Sequence, residues 1–184
     1  MRELTASGSK PFGVEPIPAR EPPRRNHASV HWLFRAPIAI YAAGAGWLLG
    51  HRFLALHHRG RRTGREHTAV LEVLSWDGER REAVVISGFG PRANWLRNVL
   101  AAGAAEVEIG RERWTACVRP LGPAEGAAVL ADYERRNRLA RPLVRRILSR
   151  LADFSYDGSE CARRELATRL PLVAFSPAPS SGSG

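Results

Sequence analysis

The chain has 184 residues, enough for one domain with tails but not for a second full core. Hydrophobic residues make up 44% and charged residues 25%, which excludes wholesale disorder and a multispanning membrane protein. Of the 28 basic side chains only Lys10 is a lysine, which leaves 27 arginines against 18 acids and a net charge of +10. Arginine is a permanently charged planar fork matched to phosphates and carboxylates. The surplus therefore has two readings, a polyanionic partner or the codon bias of a GC-rich genome.

Residues 1–28 hold Pro11, Pro16, Pro18, Pro22 and Pro23 among glycine, serine and charge, with no apolar periodicity, and predict a flexible leader. The folded domain is expected over residues 29–176, and the tail 177–184, ending Ser-Ser-Gly-Ser-Gly, is expected to be disordered. Val30 to Leu49 reads as a helix kinked near Pro37. Its uncharged stretch from Ala36 to Gly50 is 15 residues long, short of the roughly 20 needed to cross a bilayer. Residues 30–50 therefore predict a buried or amphipathic helix that contacts a membrane surface peripherally. Cys117 and Cys161 form no CxxC, so neither a disulfide framework nor a zinc site is expected, and a cytoplasmic protein fits best.

Phe53 to His57 and Thr68 to Leu74 predict two strands flanking the turn Arg59-Gly60-Arg61-Arg62-Thr63-Gly64-Arg65. Asp77-Gly78 predicts a hairpin turn into the strand Ala83 to Ser87, followed by Gly88-Phe89-Gly90-Pro91 and a helix to about Ala102. Glu106 to Ile109 and Trp114 to Val118 alternate across Gly110-Arg111 as a further hairpin. Pro123 to Asn137 and Arg141 to Leu151 read as helices, the second basic and amphipathic. Asp157 is expected to cap a short helix running to Thr168, and Leu170 to Phe175 to close the domain as a strand. Five or six antiparallel strands with inserted helices predict an α+β fold built on a split β-barrel, because closure removes exposed strand edges.

Two segments could carry chemistry. Gly60-Arg61-Arg62-Thr63-Gly64 can aim backbone N–H groups, a hydroxyl and two guanidinium forks at one phosphate, or can be a solvated hairpin turn. Ser87-Gly88-Phe89-Gly90-Pro91-Arg92-Ala93-Asn94-Trp95 places glycines before a helix N-terminus, with Phe89 and Trp95 able to flank a planar ring. Adjacent His57 and His58 point to opposite faces of a strand and do not predict a shared metal, and no G-x-S-x-G elbow is present. The arginines between Arg135 and Arg150 read either as a solvated basic face or as a surface for anionic lipid or nucleic acid.

Taken in order, Gly46-Trp47-Leu48-Leu49-Gly50-His51-Arg52-Phe53, His58-Arg59-Gly60-Arg61-Arg62-Thr63-Gly64, Ser87 through Asn98 and Leu170-Pro171-Leu172-Val173 resemble the deazaflavin-dependent nitroreductase family. That resemblance implies a split β-barrel binding the 5-deazaflavin coenzyme F-420. It implies that Arg61, Arg62 and Thr63, in the turn closed by Gly64, hold the cofactor's phosphate or charged tail. Ser87, Gly88, Phe89 and Gly90 would lie along the ring, with Arg92, Trp95 and Asn98 completing the pocket. The implied activity is hydride transfer to an electron-poor small-molecule acceptor, a quinone, nitro compound or activated enone, with no nucleic acid involved and a homodimer allowed. Tyr133 is a candidate on the substrate side or an ordinary helix-packing residue. The chain departs from the family pattern in carrying Arg65-Glu66-His67 after Gly64, where Glu66 either repels an anionic tail or pairs with an arginine, and in having Gly88 where some relatives carry lysine. FMN or haem on a similar barrel, and a non-catalytic basic binding protein, are the competing readings.

Overall fold

A computed structural model describes residues 50–178. The leader, the helix expected over Val30 to Leu49 and nearly all of the expected membrane contact lie outside the described residues. Six strands, β1 (Phe53–Arg59), β2 (Glu66–Asp77), β3 (Glu82–Ile86), β4 (Ala104–Ile109), β5 (Glu112–Pro120) and β6 (Leu172–Pro177), form a closed barrel in the order β1-β2-β3-β6-β5-β4. Every neighbouring pair is antiparallel. Among the described residues four α-helices accompany it: α1 (Asn94–Ala102), α2 (Pro123–Arg136), α3 (Arg141–Ala152) and α4 (Glu160–Arg169). The fold is thus the expected α+β split barrel.

Strand alternation divides the apolar residues between two cores. Leu54, Leu56, Val85, Val107, Ile109, Val173 and Phe175 fill the barrel, and Leu96 and Val99 of α1 pack against the same cluster. Leu74, Val84, Leu172 and Ala174 point outward and bury Leu130, Leu148, Leu166 and Ala167 of α2, α3 and α4. In β2 a bulge interrupts this alternation: Val73 pairs with Val85 but Ser75 pairs with Val84, so Leu74 is an extra residue. Ala69, Leu71 and Val73 pack on the barrel core before the bulge, and Trp76 does so after it.

The outer helices are tied together by one buried carboxylate. Glu134 of α2, only 3% exposed, accepts hydrogen bonds from the Tyr156 hydroxyl at 2.7 Å, Arg145 of α3 at 2.8 Å and Arg163 of α4 at 3.3 Å. Burial opposes its ionisation, but the two guanidinium groups and the phenol hold its carboxyl below the usual range. Two arginines of the C-terminal half thereby have a structural task.

Most strands run a few residues beyond the sequence expectation, β2 furthest, and the boundaries around α4 and β6 shift for identifiable reasons. Ser159 caps α4, its hydroxyl accepting from the Ala162 N–H, while Asp157 accepts from the Ser159 N–H one step earlier. The carboxylate thus braces the capping residue instead of the helix. The closing strand starts at Leu172, because the Leu170 N–H is spent on the Leu166 carbonyl at the end of α4 and Pro171 has no N–H, and it extends to Pro177, which pairs with Ala116.

Candidate functional site

The β1–β2 turn is closed by its own backbone. The Gly64 N–H donates to the Gly60 carbonyl at 2.7 Å and the Gly60 N–H to the Arg65 carbonyl at 2.8 Å, with Gly64 at φ +66°. This folding leaves Arg61, Arg62 and Thr63 lining a polar cavity of about 400 Å³ with Gly60, His58, His67, Asn94, Trp95 and Asn98. Gly64 shapes the turn without lining the cavity.

Buried Asn98, on α1, fixes the turn to the barrel. Its Oδ1 accepts from the Arg61 backbone N–H at 3.2 Å and from the Arg61 guanidinium at 2.9 Å, and its Nδ2 lies 3.2 Å from His58 Nδ1. For Asn98 to donate there, His58 must be neutral. Burial and the facing His67, stacked at 5.7 Å, push the His58 pKa below its ordinary value and favour that state. Arg61 also has a lowered pKa, from desolvation and the neighbouring Arg97 and Arg62 cations. A cluster of cations without a carboxylate among its cavity-lining residues is suited to an anion. Glu66, the departure from the family pattern, pairs with Arg59 at 3.1 Å and is absent from this lining.

Trp95 belongs equally to a second cavity of about 380 Å³, and that one is apolar. Val70, Glu72 and Leu74 of β2 form one wall, Val144, Ile147, Leu148 and Leu151 of α3 the opposite wall, and Gly88 with the exposed Phe89 the rim. At its polar end the Tyr133 hydroxyl donates to Glu72 Oε1 at 2.7 Å, and Glu72 lies 3.6 Å from Arg52. Burial and the Glu72 charge push the Tyr133 phenol well above the ordinary tyrosine range.

The second motif splits in two. Gly88, Phe89 and Trp95 line the apolar cavity, while Ser87 is fully buried and donates its hydroxyl to the Gly90 carbonyl at 2.7 Å. Gly90, at φ +69°, returns its N–H to the Ser87 carbonyl at 2.8 Å. Ser87 and Gly90 build the turn, and with Arg92, exposed in the short 3-10 helix Gly90–Arg92, they line neither cavity.

Sequence reasoning missed His58, His67, Glu72 and the α3 wall. The Val144, Ile147, Leu148 and Leu151 spacing was a readable signal for an apolar flank, but not for what it faces. Among the described residues, no group of three or more His, Cys, Asp or Glu is placed to hold a metal ion, and no helix is long and apolar enough to cross a membrane.

No family model matches the chain, and no curated protein matches it. Among solved structures it is similar to an F-420-H2-dependent reductase (FDR-A), at 14% identity over 69% of this chain and 96% of that one, with a TM-score of 0.45. It is also similar to a Clostridium acetobutylicum protein of the pyridoxinephosphate oxidase family related to general stress protein 26, at 8% identity, 76% and 84% coverage and a TM-score of 0.44. A third is a pyridoxamine 5'-phosphate oxidase-related, FMN-binding protein from Nostoc punctiforme, at 14% identity, 86% and 82% coverage and a TM-score of 0.40.

Proposed function

We propose that this chain is an oxidoreductase that uses coenzyme F-420 to reduce an electron-poor small molecule, a quinone, nitro compound or activated enone. The observation that carries the reading is the meeting of two unlike cavities at Trp95, one cationic and one apolar. A cofactor with a phosphodiester, an anionic tail and a planar ring needs that pairing, and the motifs around Arg61 and Gly88 are those that resemble the deazaflavin-dependent family.

The residues present fit the group. Arg61, Arg62 and Thr63 supply the cations and hydroxyl for its phosphate, and Asn98 holds Arg61 in place before any ligand arrives, which lowers the ordering cost of binding. Leu74, Leu148, Leu151 and Trp95 provide a cavity wall that excludes water from a ring and from an apolar acceptor. When bound, the reduced deazaflavin supplies a hydride from C5. The chain holds a proton nearby at the Tyr133 hydroxyl, kept on the phenol by burial and by Glu72. Tyr133 donates that proton to Glu72, so toward the cavity its oxygen is an acceptor, and it does not act as a phenolate base.

Titration of the purified chain with the deazaflavin, followed by its fluorescence, tests the reading. Micromolar or tighter binding that is lost in Arg61→Ala/Arg62→Ala supports it. A yellow preparation loaded with FMN and indifferent to the deazaflavin overturns it.

A further inference from the structure

The arginines between α2 and the end of α3 fall into two groups. Arg135 pairs with Asp132, the Arg136 guanidinium donates to the Leu74 carbonyl, and Arg145 is bound to Glu134. The side chains of Arg138, Arg141, Arg146 and Arg150 are exposed and make no ion pair or hydrogen bond among the described residues. Between them stand two leucines facing solvent: Leu139 is 101% and Leu143 61% exposed. The spacing of Leu143, Arg146 and Arg150 puts them on one outward face of α3, opposite buried Leu148 and Ala152.

We propose that this tip, the 137–140 turn and the outer face of α3, docks on an anionic lipid bilayer. Two projecting aliphatic side chains, with Arg146 and Arg150 on the same face as Leu143 and Arg138 and Arg141 beside them in sequence, match the acyl boundary and phosphate layer of such a surface. Nucleic acid would use the same charge but favours aromatic stacking platforms, which the tip lacks. A second copy would set like charges against each other. Residues 1–49 of the chain itself hold six basic and three acidic side chains, so they are not complementary to the patch either. The opposite flank of the same helix walls the apolar cavity, so docking would bring that cavity close to the lipid phase. This proposal stands independently of which cofactor the cavities take.

The test is co-flotation of the full chain with vesicles of equimolar phosphatidylcholine and phosphatidylglycerol, and with pure phosphatidylcholine vesicles, at 0.05 and 0.5 M salt. Each arginine near an anionic surface raises partitioning roughly fivefold. Binding to the anionic vesicles only, weakened by salt, cut by about 25-fold or more in Arg146→Glu/Arg150→Glu and lost in Leu139→Ser/Leu143→Ser, supports the proposal. Near-ultraviolet circular dichroism verifies that both variants stay folded. Absence of binding, binding that survives both variants, a leucine-dependent dimer in solution, or charge-dependent binding of an oligonucleotide with none to vesicles would each overturn it.

Discussion

The two glycine-containing turns resemble each other as sequence and differ as structure. In the Gly60 to Gly64 turn two backbone hydrogen bonds make the closure and the exposed Thr63 hydroxyl adds only a long 3.4 Å acceptor contact to the Arg65 N–H, so Arg61, Arg62 and Thr63 still line the cavity. In the Ser87 to Gly90 turn the closure consumes a side chain as well, because the Ser87 hydroxyl is buried against the Gly90 carbonyl. A hydroxyl in such a turn reaches a cavity only where closing the turn does not bury it. One motif presents chemistry, and the other mainly presents shape through Gly88, Phe89 and Trp95.

The largest effect is expected from Arg61→Ala/Arg62→Ala. Removing two charge-assisted contacts should weaken deazaflavin binding by about 100-fold or more while the thermal midpoint moves little. Gly90→Ala should act the opposite way. Its φ of +69° and a Cβ only 3.3 Å from the Arg169 carbonyl predict a loss of about 1–3 kcal/mol in urea unfolding. Ser87→Ala removes a buried hydrogen bond and should cost about 1–2 kcal/mol of stability, with cofactor affinity changed by less than about threefold. A Ser87 variant that loses affinity more than stability would break the contrast between the turns. Gly64→Ala is milder, about 1 kcal/mol, since its φ is equally positive at +66° but nothing lies within 4 Å of the added carbon. The smallest effect concerns pH. Because the folded pKa of His58 lies below its ordinary value, its contribution to stability is present above about pH 6.5 and declines as pH falls through the folded value. Unfolding curves at pH 7 and 5 should differ less in His58→Gln than in the parent chain.

The barrel was readable because alternation and turn chemistry are local: Glu106 to Ile109 against Trp114 to Val118 needs nothing distant to be recognised. The cationic half of the candidate site was readable for the same reason, as Arg61, Arg62 and Thr63 lie within one turn. The apolar half was not, since it exists only where α3 stands across from β2, and Arg141 to Leu151 announces an amphipathic helix without naming its opposite wall. Nor could the direction of the Ser87 hydroxyl be read, because it depends on how Gly90 turns back. The bulge at Leu74 was hidden in a run that is apolar on both faces, where alternation carries no phase.

That extra residue in β2 separates two duties of one strand. Upstream, the even-numbered Val70 and Glu72 face the cavity while Ala69 and Leu71 reach both it and the barrel core, and downstream the even-numbered Trp76 serves the barrel, where it stacks on His51 at 5.0 Å and meets Trp114 at 6.0 Å. Leu74 works as a phase shifter. A substitution in the aromatic end of the barrel then need not rotate the cavity-facing positions along the same twelve residues.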